Sequence, residues 1–161
     1  MHRRIAVILL VLSLLLCCGC SAREQVHREL SLCLPKDFVD LSGEPYAADF
    51  DFLYQNSAVA VAGIRESKYA LPVLDGPPSV QYYAEMLMDH NDLPGQPEQK
   101  DGIWYFSYEA VSAGIPMTYI CAVYECEACF WLVQAYCKSE AFPAQQEAMW
   151  EYLSAVTVDG Q

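Results

Sequence analysis

Met117-Thr118-Tyr119-Ile120-Cys121-Ala122-Val123-Tyr124-Glu125, Cys126-Glu127-Ala128-Cys129 and Phe130-Trp131-Leu132-Val133-Gln134-Ala135-Tyr136-Cys137-Lys138 run consecutively, and this stretch decides the fold. Both flanks are rich in β-branched and aromatic residues, the side chains that suit a pleated surface. Segments 117–125 and 129–138 therefore read as two strands turning around Glu127-Ala128. A two-residue loop sets Cys126 opposite Cys129, Tyr124 opposite Trp131 and Ala122 opposite Val133. Cross-strand partners share a face. One face then carries Ile120, Ala122, Tyr124, Trp131, Val133 and Ala135 and is strongly apolar. The other, with Tyr119, Glu125, Gln134 and Tyr136, is mixed.

Working outward, residues 103–112 form a third strand that puts Trp104, Phe106, Tyr108 and Ala110 on one side, with a turn at Ala113-Gly114. Upstream, Phe50, Phe52 and Tyr54 alternate with Asp49, Asp51 and Leu53, the period of two that marks a strand. Gln55-Asn56-Ser57 has turn chemistry. The continuous small-apolar run 58–64 suits a strand covered on both faces. Residues 30–34 are a further strand, ended by Pro35. Residues 37–41 read as a short helical turn, and 93–102 as a polar loop.

Two helices complete the pattern. In 79–90, Val80, Tyr83, Ala84, Leu87 and Met88 fall on one helical stripe. In 143–156, Ala148, Met149, Tyr152, Leu153 and Val156 do the same, and Pro143 suits a first turn. The order β-ββ-α-βββ-α predicts an α+β domain: an antiparallel sheet of about six strands covered by two main helices.

The N-terminus carries a different signal. Met1-His2-Arg3-Arg4 is a cationic head. Residues 5–16 follow and are apolar except for Ser13. That run is too short for a spanning helix of about 20 residues and fits the core of a secretory signal. Leu14-Leu15-Leu16-Cys17-Cys18-Gly19-Cys20-Ser21-Ala22 resembles the lipobox of bacterial lipoproteins. In that family a small residue precedes a cysteine whose thiol takes a diacylglyceryl group, and cleavage occurs just before it. Gly19 and Ser21-Ala22 select Cys20; Cys18 is the second choice, since Cys17 stands where the family has Leu. The resemblance implies residues 1–19 as signal peptide, 20–29 as a lipidated tether and 30–159 as one domain. It implies a protein held by its lipid at the extracytoplasmic face of the cell membrane.

Removal of the leader leaves seven basic residues against 21 acids, a formal charge of −14. Such a surface excludes nucleic acid and anionic headgroups as partners, because both require a basic footprint. It also keeps a globule apart from anionic neighbours.

The domain resembles the PsbP/Mog1-like superfamily across residues 30–158. The resemblance rests on Leu30-Ser31-Leu32-Cys33-Leu34-Pro35-Lys36-Asp37-Phe38, on Gly102-Ile103-Trp104-Tyr105-Phe106-Ser107-Tyr108-Glu109, on the hairpin after it and on a terminal helix running to Thr157-Val158. It implies an antiparallel sheet between helices, and binding or accessory roles with no shared catalytic residues.

Chemistry-bearing motifs are few. Cys126-Glu127-Ala128-Cys129 is a C-x-x-C at a hairpin turn. A disulfide across the turn is the first reading. A redox couple needs a helix N-terminus to lower a thiol pKa, and a zinc site needs about four ligands. Cys33 and Cys121 read as small core hydrophobes; Cys137 shares the predicted face of the C-x-x-C pair. His2 leaves with the leader, His27 falls in the tether and His90 at a helix end. Asp37, Asp40, Glu44, Asp49 and Asp51 lack the glycine and closing Glu of a calcium loop. No cofactor or metal is expected. Tyr105, Tyr119 and Tyr136 form a candidate binding surface if they share an open sheet face; the alternative is that a helix covers them. The resulting expectation is a non-catalytic binding or accessory module for an envelope protein or small ligand. The alternative is an extracytoplasmic thiol-active protein built on Cys126 and Cys129.

Overall fold

The hairpin around Glu127-Ala128 forms the centre of the sheet. In a computed structural model, which describes residues 22–71 and 78–159, Tyr124 pairs with Trp131, Ala122 with Val133 and Ile120 with Ala135. All six side chains are buried in the main core, so the register read from the sequence holds. A one-residue slip would have turned that set to the other face. Residues 1–21, which hold the expected signal peptide and Cys17, Cys18 and Cys20, lie outside the described residues.

Among the described residues, ten strands and two α-helices follow in chain order: β1 (Ala22–His27), β2 (Leu30–Pro35), β3 (Val39–Asp40), β4 (Phe52–Gln55), β5 (Ala60–Ser67), α1 (Val80–His90), β6 (Glu98–Lys100), β7 (Ile103–Ser112), β8 (Ile115–Glu125), β9 (Cys129–Lys138), α2 (Phe142–Ser154) and β10 (Thr157–Val158). Seven strands form one antiparallel sheet in the order β3-β4-β5-β9-β8-β7-β6. The other three form a small sheet, β1-β2-β10. The α+β class and two helices stand, but the opening strand belongs to the second sheet and not to the large one.

Both helices start where their first-turn chemistry dictates. Ser79 caps α1 by accepting the Tyr82 N–H at 3.1 Å, which satisfies one of the donors a helix start leaves open. Pro143 sits in the first turn of α2, where its missing N–H costs nothing. The last turn of α2 is tied down by the Tyr124 hydroxyl, which donates to the Leu153 carbonyl at 2.6 Å.

The two faces of the large sheet are covered differently. On one, α2 brings Met149 and Leu153, and β2 brings Leu30, Leu32 and Leu34, against Phe52, Val61, Trp131 and Val133. Each of these leucines stabilises the fold by about 1.5–3 kcal/mol through burial. On the other, α1 packs Tyr83, Ala84 and Met88 on Phe106, Cys121, Val123 and Phe130. The turn Pro45–Ala47 covers Leu53, Ala60 and Ala62 farther along. Residues 59–63 of the run 58–64 are therefore buried, on both faces of the sheet, while Ala58 is exposed and Ile64 half-buried.

Five departures from the sequence reading have local causes. The terminal helix, read as running to Thr157-Val158, ends at Ser154, because Thr157 and Val158 pair with Ser31 and Leu30 as β10. Residues 22–27 of the expected tether form β1, because every one of them pairs with β2. Cys33 is exposed and not a core residue: Leu32 and Leu34 point inward on β2, so period two turns Cys33 out, opposite Glu24. Residues 39–40 make a strand and not a helical turn, since Val39 and Asp40 pair with Gln55 and Tyr54. Residues 98–100 of the expected loop pair with β7 and extend the sheet.

Candidate functional site

A groove of about 610 Å³ runs between α2 and the β6–β7–β8 end of the sheet. That volume falls within the range of small-ligand sites. Its sheet wall is built by register. Glu98 pairs with Tyr105 and Lys100 with Ile103, while Tyr105 pairs with Ala122 and Ser107 with Ile120. These residues therefore share the face that α2 covers. Its helix wall is Pro143, Gln146, Glu147, Trp150 and Glu151, spaced three and four apart and so aligned on one helical stripe. This stripe lies beside the buried one that carries Met149 and Leu153.

Trp150 is the centre of the groove. Tyr105 meets its ring edge-on at 5.2 Å. The Lys100 ammonium stands 4.4 Å above the ring centroid, within cation–π range. The Tyr105 hydroxyl donates to Glu98 Oε2 at 2.8 Å, and that bond, ahead of burial, pushes the Tyr105 pKa up. Glu98, Glu147 and Glu151 give this end of the molecule an acidic rim around an aromatic floor.

The three tyrosines read as one surface are divided by the sheet. Tyr105 faces α2. Tyr119 and Tyr136 lie on the opposite face, where they stack at 5.0 Å. The cause is period two: Tyr105 opposes Ala122, whereas Tyr108 opposes Tyr119 and Tyr119 opposes Tyr136. Tyr108 completes a ladder, its ring 4.7 Å from Tyr119 and tilted by only 2°. Both faces of the Tyr119 ring are thus occupied by protein. A sugar or base has no ring face of Tyr119 on which to stack. Burial raises the pKa of Tyr108, Tyr119 and Tyr136 alike.

Cys126 and Cys129 are joined as a disulfide across the turn, with Cα atoms 5.1 Å apart. Both are buried, at 4% and 0% exposure, so an attacking thiolate has no direct approach. Glu29 brings a carboxylate oxygen within 4.8 Å of both sulfurs. That carboxylate is held by Arg65 in a two-pronged ion pair at 2.9 and 3.0 Å. The same bonds draw the Glu29 pKa down and the Arg65 pKa up. With the sulfurs bonded and Glu29 taken, the three do not present a free ligand set. Cys121 and Cys137 are buried, and burial raises both thiol pKa values.

His27, assigned by sequence to a tether, is half-buried against the sheet. Its ring stacks on Phe52 at 4.5 Å, and its Nε2 lies 2.9 Å from the Tyr54 hydroxyl. Among the described residues, Tyr105 is the only sequence candidate that reaches the groove. Trp150 was not singled out, although a signal existed: a tryptophan off the apolar stripe of its helix, flanked by Glu147 and Glu151. Lys100 carried no comparable signal, since the pairing of β6 with β7 places it.

No protein-family model matches this chain, and no curated protein matches it. Solved structures do. The chain is similar to the cyanobacterial PsbP (CyanoP) of Synechocystis, with a TM-score of 0.58, 9% identity, and coverage of 86% of this chain and 93% of that one. It is similar to a Bacteroides thetaiotaomicron protein with a TM-score of 0.59 and 12% identity, where 88% of this chain spans 50% of that chain. It is also similar to the Saccharomyces cerevisiae Ran-binding protein Mog1p, with a TM-score of 0.52, 12% identity, and coverage of 85% and 95%. At such identities the likeness concerns architecture, and the chain has a PsbP/Mog1-like fold.

Proposed function

We propose that this chain is a lipoprotein, anchored through Cys20 at the extracytoplasmic face of the cell membrane, whose domain is a non-catalytic binding or accessory module for an envelope protein or ligand. The observation that carries the binding reading is the groove at Trp150, a preformed concave site with an aromatic floor and convergent polar groups. Such sites bind. The Mog1p neighbour is described as Ran-binding, so this fold serves protein recognition in at least one setting. The leader supports the anchoring: Arg3-Arg4, the apolar run and Gly19-Cys20-Ser21. Two or three acyl chains on one cysteine suffice for stable attachment, where a single chain is marginal.

The test is metabolic labelling with radioactive palmitate in a bacterial host. Label enters the wild-type chain and fractionates with membranes; Cys20→Ala abolishes both, whereas Cys18→Ala does not. An unlabelled cytosolic product with its leader intact refutes the anchoring. Pull-down from the envelope with the anchored form, compared with a Trp150→Leu variant, tests the groove. The thiol-active alternative at Cys126 and Cys129 is weakened by the burial of both sulfurs. Thiol trapping that modifies both positions rapidly and reversibly in the native protein would revive it.

A further inference from the structure

We infer that the Trp150 groove recognises a lysine or arginine side chain carried on an extended segment of a partner protein. This rests on the reading of the domain as a binding module and names the chemistry of its partner. Two independent observations carry it. The first is the ammonium already there. Lys100 Nζ stands 4.4 Å over the Trp150 ring, in a site whose other charged groups, Glu147 and Glu151, are acids. An aromatic face beside carboxylates is the environment that attracts a cation. Lys100 is an exposed residue of a three-residue edge strand, so it is a tethered occupant that can swing out into water. The chain's formal charge of −12 adds long-range attraction for a basic segment.

The second observation is the strand that holds Lys100. Among the described residues, β6 is the last strand of the large sheet, paired on one side only with β7. Its outer backbone groups face away from the sheet beside the groove. An edge of this kind accepts an extended peptide by adding a strand, with main-chain hydrogen bonds for affinity and a neighbouring pocket for one side chain. A free organic cation would use the aromatic face but not the edge, which favours a peptide. The residues committed are Trp150 and Tyr105 as the ring cage, Glu147 and Glu151 as the counter-charges, and Lys100 as the internal competitor.

The competitor gives the test its edge. A short lysine-bearing peptide is titrated into the folded full-length domain by calorimetry, beside the same peptide with norleucine for lysine. Lys100→Met and Lys36→Met remove the same charge, the second at a separate recess lined by Arg23 and Asp40. The expected result is binding of the lysine peptide, weakened tenfold or so without the ammonium. Lys100→Met tightens it about threefold or more, beyond the small gain that Lys36→Met gives through net charge. Trp150→Leu weakens it. Because Trp150 also packs on the core, circular dichroism accompanies that variant and Lys100→Met carries the decision if it unfolds. Equal affinity for the norleucine peptide, equal gains from the two lysine variants, or no binding overturns the inference. So does tetramethylammonium binding as tightly as the peptide. None of these outcomes touches the anchoring or the envelope pull-down, which stand or fall on their own experiments.

Discussion

The ring of Phe52 lies across Gly63, its antiparallel partner on β5, in the space that a Cβ on Gly63 would fill. The glycine is required by contact. Phe52 is fully buried and packs against the rings of His27, Tyr54 and Trp131, which leave it little room to withdraw. Gly63→Ala is expected to destabilise the domain by about 2 kcal/mol, the usual cost of overpacking a filled core. Phe52→Leu in the same chain recovers part of that loss, giving a favourable coupling in a double-mutant cycle. Urea unfolding of the four proteins checks it.

Among the described residues, the three free cysteines divide by burial. Cys33 is expected to react with iodoacetamide in the native state, because β2 turns it to solvent. Cys121 and Cys137 are buried, with thiol pKa values held up by burial, and should react only once the chain is denatured. Peptide mass spectrometry after timed alkylation reads all three. Cys33→Ser should alter stability by no more than about 0.5 kcal/mol, the range of ordinary surface changes.

Acid should loosen the N-terminal strand. Burial holds the His27 pKa below its ordinary 6.5, against the upward pull of Asp40 and Asp51. The folded state therefore favours the neutral ring. Its contribution is complete above pH 6.5 and is lost as pH falls through the lower folded value. Amide hydrogen exchange in Ala22–His27 is expected to accelerate over that interval, and His27→Phe should flatten the response. An exchange profile that ignores pH below 6.5 would show that His27 does not couple β1 to the sheet.

Alkali should act through the tyrosines. Burial, with help from Asp40, pushes the Tyr54 pKa up from 10.0 to about 12. Tyr83, Tyr108 and Tyr124 shift in the same direction, burial being the leading cause in each. The unfolded chain ionises near pH 10 while the folded one resists, so stability is full below 10 and falls as pH rises toward 12. Phenolate absorbance is expected to lag behind that of a tyrosine peptide and then to rise together with loss of near-ultraviolet circular dichroism.

The central sheet was legible because its segments are long and their patterns strong. The 117–138 hairpin carries enough apolar alternation to determine its own register. The small-apolar run 58–64 suits a strand covered on both faces, which its middle, 59–63, is, and Ser79 and Pro143 mark helix starts. The strands that were missed are short or polar and owe their existence to partners. Val39–Asp40 and Glu98–Lys100 have two and three residues. Ala22–His27 is a polar strand with no buried residue, and nothing in its composition tells it from a linker. The groove escaped for the same reason. Tyr105, Trp150 and Lys100 are far apart in the chain, and only the pairing of β6 with β7 and the seat of α2 bring them together.

Among the described residues β1 begins at Ala22, two positions after Cys20 in the sequence, so the proposed anchor would join the domain at its β1 side. His27 docks β1 over β4, and β7 is four strands further across the sheet, roughly 19 Å at the usual spacing. With the proposed anchor on the β1 side, the groove would lie across the breadth of the sheet from the point of attachment, away from the strand nearest the lipid chains.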